Sequence, residues 1–369
     1  MPDFHLEHMQ HALSIAKKAR YLASPNPMVG AVLVKDGKVI GTGFTHEPGL
    51  DHAEINAIKN VQKNLKNMAK DELWNSCLYT TLEPCSKKGK TPACTKAIIE
   101  AGIKEVFIAT KDPLQEGIKD LKKAGVKVNT GLCEDISMEQ NRGFFSRISR
   151  KRPFITCKIA CSLDGGIGLK NGDSKWITSE ESRLDAHKLR ASSDAILTGI
   201  GTVLADNPKM TVRSQDSDYQ GKDVNPKRYV LDSQLRLKGD EHLVTDGFKT
   251  TIFCNQVKKV SYLNPTLTII EAPGESNQVS LNKVMGYLNK EKCNNLMVEA
   301  GSTLITSLIV TKLIDEFVFY IAPKILGKNK INFTDFKSSF SNLGTIQLKL
   351  KQINEIGPDI KLIAVPTYQ

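Results

Sequence analysis

Four residues in the first third of the chain have the types and spacing of a catalytic metal site. His52 offers an imidazole, Cys85 and Cys94 offer thiolates, and Glu54 is a carboxylate two residues after the histidine. Imidazole and thiolate are ligands that zinc binds readily, and a catalytic zinc site keeps its fourth position for water. Zinc lowers the pKa of that water toward neutrality and makes it a nucleophile. The four residues therefore predict a zinc centre in which Glu54 moves protons between the water and a leaving amine.

The predicted local structure places these residues at the ends of regular elements. His52 begins an amphipathic pattern that predicts a helix, and residues 78–82 form an apolar run that predicts a buried strand ending before Cys85. A second helix is predicted from residue 92 to about residue 101, and it contains Cys94. The alternative is that the histidine and the two cysteines are unrelated core residues. The positions at two helix starts and a strand end favour the metal site.

The order of the motif residues is that of the zinc deaminases. In their signature, His-x-Glu is followed by Pro-Cys-x-x-Cys, and the glutamate is not a zinc ligand. Here His52-Ala53-Glu54 is followed by Pro84-Cys85, and eight residues separate Cys85 from Cys94, which is longer than the common short form. The close cysteine pairs of a structural four-ligand zinc site do not occur in the sequence.

Length and composition limit the class of protein. A chain of 369 residues is long enough for two domains. Hydrophobic residues make up 40% and charged residues 25%, as in an ordinary soluble globular protein. The sequence has no run of 18 apolar residues and no N-terminal pattern of a signal peptide, so we expect a cytoplasmic protein without a membrane partner. The eight cysteines have no disulfide-like spacing and are predicted to be free thiols.

The net charge of +11 leaves two kinds of partner open. A basic protein is a candidate for binding nucleic acid. The surplus charge is spread evenly over both halves of the chain, however, and aromatic residues are only 6%. A phosphorylated small molecule suits this charge as well as RNA does, and a diffuse lysine-rich surface is the commonest explanation of all.

The order of predicted elements indicates two α/β domains. The first half reads as a helix over residues 4–20, a hairpin around Asp36-Gly37, and then alternating helices and strands. The basic run Ser149-Arg150-Lys151-Arg152-Pro153 separates it from a new series of strands that begins at Phe154. We therefore predict domains over residues 1–148 and 149–369. In the second, Thr178 and Glu181 predict a capping box at the start of a helix.

Two glycine-bearing loops in the second domain suggest an anion site. Each follows a predicted strand and leads into a helix, one at Gly199-Ile200-Gly201-Thr202 and the other at Glu299-Ala300-Gly301-Ser302. Backbone N–H groups at such a helix start can bind phosphate. The alternative is that the glycines only serve turns. Arg190 and Arg213 are candidates for binding a phosphate monoester, although either alone is more often a solvated surface residue.

Taken together, these motifs resemble one known family over nearly the whole chain, the bifunctional riboflavin-biosynthesis deaminase/reductases. The motifs that carry the resemblance are Ser24-Pro25-Asn26-Pro27-x-Val29-Gly30, His52-Ala53-Glu54 and Glu83-Pro84-Cys85-x8-Cys94 in the first half, and Arg152-Pro153-Phe154, Ser162-Leu163-Asp164-Gly165, Ser174-x-Trp176-Ile177-Thr178, Gly201-Thr202-Val203, Asp206-Asn207-Pro208, Thr211-Val212-Arg213 and Glu299-x-Gly301 in the second.

The resemblance implies a fold and two successive reactions. It implies a cytidine-deaminase-like three-layer α/β domain followed by a dihydrofolate-reductase-like domain. The first reaction is hydrolytic removal of the 2-amino group of 2,5-diamino-6-(5-phosphoribosylamino)pyrimidin-4(3H)-one, with Zn²⁺ as cofactor. The second is reduction of the ribosyl group of 5-amino-6-(5-phosphoribosylamino)uracil to ribityl, with NADPH as cofactor. The implied partners are these small molecules and not nucleic acid, and the implied assembly is a homo-oligomer.

The resemblance also implies roles for individual residues. It makes Glu54 catalytic and His52, Cys85 and Cys94 the zinc ligands. Lys158 is expected close to the reacting sugar. The expected cofactor-binding residues are Ala160, Trp176, Thr202, Asp206, Gly301, Ser302, Thr303, Leu304, Ile305, Thr306 and Ser307. The expected substrate-binding residues are Asn26, Ser174, Arg190, Met210, Arg213 and Glu299.

The chain departs from the family pattern at three positions. Thr45 stands where many members have a histidine, Gly166 where Lys or Arg is usual, and Met210 where leucine is common. Two other functions stay open: a deaminase of tRNA or DNA bases, and a chain in which one domain only binds or scaffolds. The first explains neither the second domain nor the long spacing from Cys85 to Cys94. The complete zinc and glutamate set argues against the second for the first domain.

Overall fold

The division of the chain into two compact units falls between Ser149 and Arg150. The units are Met1–Ser149 and Arg150–Gln369, so the division lies one residue after the end of the predicted first domain. The computed structural model describes residues 3–87, 92–170, 176–213, 225–262, 264–336 and 345–368.

The first unit is a five-stranded sheet with helices packed on it. Its strands follow the order β2-β1-β3-β4-β5, and the β2–β1 and β1–β3 pairs are antiparallel whereas β3–β4 and β4–β5 are parallel. The elements are α1 (Asp3–Ala16), β1 (Gly30–Lys35), β2 (Lys38–Phe44), α2 (Ala53–Leu65), α3 (Ala69–Leu73), β3 (Cys77–Leu82), α4 (Cys94–Glu100), β4 (Glu105–Thr110), α5 (Gly117–Lys123), β5 (Lys127–Thr130), α6 (Glu134–Gln140) and α7 (Arg142–Ser149).

Alternation along strand β1 produces the two cores of this unit. Ala31 and Leu33 pack with residues of α2, whereas Val32 and Val34 pack with residues of α1 on the other face. Successive strand residues point to opposite faces, so one apolar strand can serve both cores. The predicted three-layer arrangement is therefore confirmed for this unit.

The predicted hairpin between β1 and β2 is also confirmed. Asp36 and Gly37 have φ angles of 46° and 77°, and β1 pairs with β2 in antiparallel register. Two positive φ angles define the tight turn whose twist matches that of the flanking strands. Asp-Gly is among the residue pairs that accept this geometry most readily.

The second unit is built on a nine-stranded sheet of order β11-β10-β9-β8-β12-β6-β13-β16-β15. Neighbours are parallel from β11 to β13, and β16 and β15 are added antiparallel. The elements are β6 (Phe154–Ser162), β7 (Gly166–Leu169), α8 (Glu180–Ala191), β8 (Ala195–Gly199), α9 (Ile200–Asp206), β9 (Lys227–Leu231), α10 (His242–Thr245), β10 (Thr250–Cys254), β11 (Leu267–Glu271), α11 (Leu281–Lys290), β12 (Asn295–Val298), α12 (Ser302–Val310), β13 (Glu316–Ala322), β14 (Lys330–Asn332), β15 (Gln347–Ile356) and β16 (Asp359–Thr367).

One detail of this unit corrects the sequence analysis. Helix α8 starts one residue later than the predicted capping box, because Ser179 is the N-cap and its side chain accepts the Ser182 N–H. The chain after residue 345 forms two strands, β15 and β16, which pair with each other, and β16 also pairs with β13. Cys157 and Cys161 both belong to the apolar core beside β6, as expected for packing residues.

All eight cysteines are free. Among the helices that the structure describes, none combines the length and the apolar character needed to cross a bilayer.

Candidate active sites

The three predicted zinc ligands converge in the first unit. His52 is the residue before α2, Cys94 is the first residue of α4, and Cys85 lies in the loop after β3. His52 Nδ1 lies 3.6 Å from the Cys85 Sγ and 3.4 Å from the Cys94 Sγ. The three ligand atoms lie within 4.8 Å of one another, and within the described ranges no other His, Cys, Asp and Glu side chains form such a cluster. One imidazole nitrogen and two sulfurs are the donor set of a catalytic zinc site, so these residues fit the ion.

The loop that carries Cys85 is fixed from several sides. The Cys94 N–H donates to the Cys85 Sγ at 3.2 Å, and the Thr95 N–H donates to the Cys85 carbonyl at 3.2 Å. The buried carboxylate of Glu83 accepts the backbone N–H groups of Asp112 and Ile118. A ligand held by this many bonds loses little freedom when it binds a metal, so the site is organised in advance.

Hydrogen bonds and burial shift the pKa values at the cluster in different directions. The hydrogen bond to Cys85 raises the pKa of His52 against the effect of burial. The hydrogen bond from Cys94 lowers the pKa of the Cys85 thiol, and the same bond together with burial raises that of Cys94. A metal binds the neutral imidazole and the two thiolates, so its binding displaces protons from these groups.

Glu54 lies beside the ligands without being one of them. It is in the first turn of α2, and only 3% of it is exposed. Burial raises the pKa of this carboxyl group, and a hydrogen bond to the Cys94 thiol partly opposes that rise. A carboxyl group with a raised pKa can both accept and return a proton, as a general acid–base catalyst must.

Asn26 belongs to a loop that the C-terminal helices of the same unit hold in place. The loop follows the cis bond between Ser24 and Pro25, and the Asn26 N–H donates to the Ala23 carbonyl. Two residues on, the Asn141 side chain accepts the Met28 N–H at 2.7 Å and donates to the Met28 carbonyl at 2.9 Å. Sequence analysis did not single out Asn141, which is 113 positions from Met28 and has no local motif that points to it.

Thr45, the first departure from the family pattern, has a structural partner. It is buried, its N–H donates to the Val29 carbonyl, and its hydroxyl accepts the Val29 N–H. Thr45 therefore ties the end of β2 to the loop that contains Asn26.

The second unit contains a cavity of about 620 Å³, which residues of the central strands β6 and β13 line in part. Most of the predicted cofactor and substrate residues line it. They are Ala160, Trp176, Arg190, Thr202, Asp206, Met210, Arg213, Glu299, Gly301 and Ile305, and Lys158 lines it as well.

The other predicted residues of this site lie elsewhere. Ser302, Thr303, Leu304, Thr306 and Ser307 belong to the first turns of α12 and are not part of the described cavity wall. The Thr306 hydroxyl accepts the Asp335 N–H, and the Ser307 hydroxyl donates to the Thr303 carbonyl. Ser174 lies outside the described residues.

The two glycine loops meet inside the cavity. The Thr202 hydroxyl oxygen accepts the Gly301 N–H at 3.1 Å, so the starts of α9 and α12 are joined. Near the cavity mouth, 64% of Trp176 is exposed, and the Arg183 guanidinium lies 4.5 Å from its ring centre. An exposed aromatic ring beside a cavity is suited to covering a flat ligand.

Some of the residues that line the cavity form an ion-pair network. Arg190 binds both carboxylate oxygens of Glu299, with Nε to Oε1 at 2.5 Å and Nη2 to Oε2 at 2.8 Å. Lys158 Nζ lies 3.8 Å from the same carboxylate. Burial by itself raises the pKa of Glu299, but the two cations outweigh it and lower the pKa to about 2. Glu299 is therefore a carboxylate at every physiological pH.

Two further cavity residues were missed by sequence analysis. His187 lies three positions before Arg190 on α8, a spacing that could have placed it on the same helix face. Tyr320 is buried in β13 and donates to Asp185 Oδ2 at 2.6 Å. Its neighbours form a continuous apolar run, which indicates only a buried strand and does not point to a cavity residue.

Family models match both units. Residues 2–110 match the cytidine and deoxycytidylate deaminase zinc-binding region, and residues 153–362 match the RibD C-terminal domain. Fold and sites together define a two-domain enzyme with a zinc deaminase domain and a reductase domain. The chain belongs to the RibD family of bifunctional riboflavin biosynthesis enzymes.

Relatives match over nearly their whole length. The riboflavin biosynthesis protein RibD of Escherichia coli (strain K12) is 35% identical over 366 residues, which covers 96% of this chain and 97% of the relative. That of Bacillus amyloliquefaciens is 38% identical over 368 residues, covering 97% and 95%. Form 1 of Acinetobacter baumannii RibD superposes with a TM-score of 0.89 at 32% identity, covering 99% of both chains. A Thermotoga maritima deaminase/reductase structure gives a TM-score of 0.86 at 30% identity, also covering 99% of both chains.

Proposed function

We propose that the first unit deaminates 2,5-diamino-6-(5-phosphoribosylamino)pyrimidin-4(3H)-one and that the second reduces the ribosyl group of the product. The observation that carries the proposal is the convergence of His52, Cys85 and Cys94 beside the buried carboxylate of Glu54, upstream of a reductase domain with its own charged cavity. The Thermotoga maritima relative is a diaminohydroxyphosphoribosylaminopyrimidine deaminase and 5-amino-6-(5-phosphoribosylamino)uracil reductase.

In the first reaction, this chain supplies the ligands and the proton carrier. A zinc ion bound by the three ligands would make a water molecule nucleophilic at neutral pH. Glu54 takes a proton as the water oxygen bonds to the ring carbon, and it returns the proton to the amino group that leaves as ammonia. Asn26, held in its loop through Met28 and Asn141, contacts the pyrimidine ring.

In the second reaction, the chain supplies orientation and charge. NADPH, when bound, would supply a hydride to the sugar carbon bound to nitrogen in the ring-opened imine form, and the imine nitrogen would take a proton from solvent. We assign Trp176, Thr202, Asp206 and Gly301 to the cofactor, and Ser174, Arg190, Met210, Arg213 and Glu299 to the substrate. Ala160 and the start of α12 (residues 301–307) complete the proposed cofactor site. Lys158 lies close to Glu299, where its ammonium group can approach the reacting sugar.

The decisive experiment is incubation of the pure, zinc-loaded protein with the diaminopyrimidine ribotide, with and without NADPH. We expect mass analysis to show a gain of about 1 Da without NADPH, as an amino group is replaced by a carbonyl oxygen, and a further gain of about 2 Da with it. Ammonia release from tRNA or single-stranded DNA in place of the ribotide would assign the first unit to nucleic-acid bases instead.

We also propose a homo-oligomer that acts in the cytoplasm and prefers NADPH to NADH. Support for the oligomer comes from β15, a ten-residue edge strand with exposed Leu350 and Ile353, because the unpaired backbone groups of a long edge strand can pair with another chain. Light scattering of the full chain tests the assembly, since a monomer across the micromolar range would contradict it. Steady-state kinetics with the two cofactors test the preference.

A further inference from the structure

Two side chains of α8 hold the segment that follows α9. Arg190 Nη1 donates to the Thr211 carbonyl at 3.0 Å, and the Arg213 backbone N–H donates to His187 Nδ1 at 3.0 Å. His187 and Arg190 are three positions apart, so they project from the same helix face. The backbone of residues 211–213 is therefore fixed at two points. His187, Arg190 and Arg213 all line the cavity.

The bond to Arg213 decides which nitrogen of His187 carries the proton. A backbone N–H can only donate, so Nδ1 must be the unprotonated acceptor. In a neutral imidazole the proton is then on Nε2, which becomes a donor. Burial of the ring, with the charges of Arg190 and Arg213, lowers the pKa of His187 to about 4. The ring is therefore neutral at physiological pH, with one N–H to offer a ligand.

The charges around His187 favour an anion. Three cations act on the ring, Arg190 on its own helix, Arg213 on the following segment and Lys158 on β6, against one carboxylate, Glu299 after β12. Three nitrogens of Arg190 bind protein groups, namely the Glu299 carboxylate and the Thr211 carbonyl. Arg213 is exposed at the cavity. The surplus positive charge next to an N–H donor suits a phosphate monoester.

We propose that His187 is a substrate-binding and positioning residue of the reductase site. Its Nδ1 holds the backbone of Arg213, and its Nε2 donates to an oxygen of the phosphate group that Arg213 pairs with. The inference rests on the proposed function, which supplies a substrate with a 5-phosphate. The 2′-phosphate of NADPH is a second source of the same chemistry, and the test separates the two.

Three substitutions of His187 separate its two roles, which are to hold the Arg213 backbone through Nδ1 and to donate to the phosphate through Nε2. His187→Asn keeps an acceptor near the place of Nδ1 but loses the donor. His187→Gln keeps a donor near the place of Nε2 but loses the acceptor. His187→Ala loses both. Arg213→Ala, which removes the charged partner, serves as the reference for loss of the phosphate contact.

We expect the effects to appear in KM for the phosphorylated substrate. A hydrogen bond to a charged group contributes enough that His187→Ala should raise this KM roughly tenfold or more, with kcat within about twofold. His187→Asn and His187→Gln should each recover part of the loss. With the dephosphorylated substrate, the KM of all three His187 variants should equal that of the wild type within about twofold. The reason is that a substrate without the phosphate cannot make this contact with any of the proteins. An equal loss with both substrates would overturn the proposal, and so would a rise in KM for NADPH but not for the substrate.

Binding of ribose 5-phosphate to the full-length protein, measured by calorimetry with ribose as the control, gives a readout without turnover. We expect the wild type to bind ribose 5-phosphate more tightly than ribose, and His187→Ala to lose most of that difference. Equal affinity of the wild type for both sugars would overturn the proposal. Unchanged NADPH affinity and melting temperature show that a variant is folded. If the wild type binds ribose 5-phosphate but does not reduce the ribotide, the proposed function fails and the His187 site stands.

Discussion

Arg190 and Glu299 form a two-point ion pair at the cavity of the second unit, with both Arg190 Nε and Nη2 bound to the carboxylate. The pair is largely buried: the exposed fractions of the two side chains are 14% and 11%. Such a pair is costly to break from one side, because a buried charge is then left without a partner, typically at about 3–5 kcal/mol. The geometry therefore links two of the proposed substrate residues to the stability of the unit.

Acid unfolding should report this pair. The pKa of Glu299 is lowered from 4.5 to about 2 in the folded protein. A lowered carboxyl pKa contributes stability that is present above the unfolded value of 4.5 and is lost as pH falls toward 2. We expect Glu299→Gln to destabilise the second unit at pH 7 and to make its unfolding free energy less dependent on pH between 4.5 and 2. Denaturant titrations at a series of pH values measure the unfolding free energy and its dependence on pH. An unfolding free energy that depends on pH as steeply in the variant as in the wild type would contradict the prediction.

Glu54→Gln should abolish deamination and leave zinc bound. The three ligand atoms come from other residues, so the metal content should not change. Loss of a positioned proton carrier typically costs about 10²–10⁴ in rate. Glu100→Gln is the matched control, because Glu100 lies on α4 with 66% of its side chain exposed and should keep full activity. Reductase turnover, measured on the deaminated intermediate, should be unaffected in both variants. Deamination at the wild-type rate in Glu54→Gln would remove this residue from the mechanism.

Removal of zinc should stop the deamination and leave the reduction unchanged. We expect Cys85→Ser and Cys94→Ser each to lower the zinc content measured by elemental mass spectrometry and to stop deamination, because each removes one of three protein ligands. Cys133→Ser is the control, since Cys133 is a half-buried cysteine at the start of α6, away from the ligand cluster. A chelator should reproduce the loss in the wild type, and added zinc should reverse it. Full zinc content in either ligand variant would refute the assignment.

The zinc cluster could be predicted because short-range patterns encode it. His52 and Glu54 are two residues apart at a helix start, and Cys85 follows an apolar strand. The main strands were found for the same reason, since apolar alternation and turn residues such as Asp36-Gly37 act locally. Short elements with little apolar content, such as α3, α6 and β14, were not predicted. Helix α11 was missed although Ser280 caps it and its apolar residues have helical spacing, so the signal was present.

Contacts between distant parts of the chain could not be predicted in this way. Asn141 reaches Met28 across 113 positions, and Arg190 reaches Glu299 across 109. No periodicity or spacing relates such residues, because the fold alone brings them together. The predicted N-cap of α8, Thr178, lies one residue before the observed N-cap, and a contact with a distant part of the chain is again the reason. Ser179 caps the helix in a setting where the Asp359 carboxylate on β16 accepts its backbone N–H, a contact that the capping-box pattern does not contain.

Gly43 connects the packing of the first sheet to the zinc site. A Cβ atom there would lie 2.3 Å from the Ala53 carbonyl oxygen and 2.4 Å from the Ala57 nitrogen, so only glycine lets β2 approach α2 this closely. Helix α2 carries Glu54 and begins after His52. Gly43→Ala must therefore displace the helix, at an overpacking cost of typically about 1–3 kcal/mol. We expect a lower melting temperature, weaker zinc binding and slower deamination, with the reductase unchanged.

Gly286→Ala is the control, because Gly286 lies in α11 with open space around it and should be neutral or slightly stabilising. Wild-type zinc affinity in a Gly43→Ala protein of lowered stability would show that the helix start stays in place when its packing is disturbed.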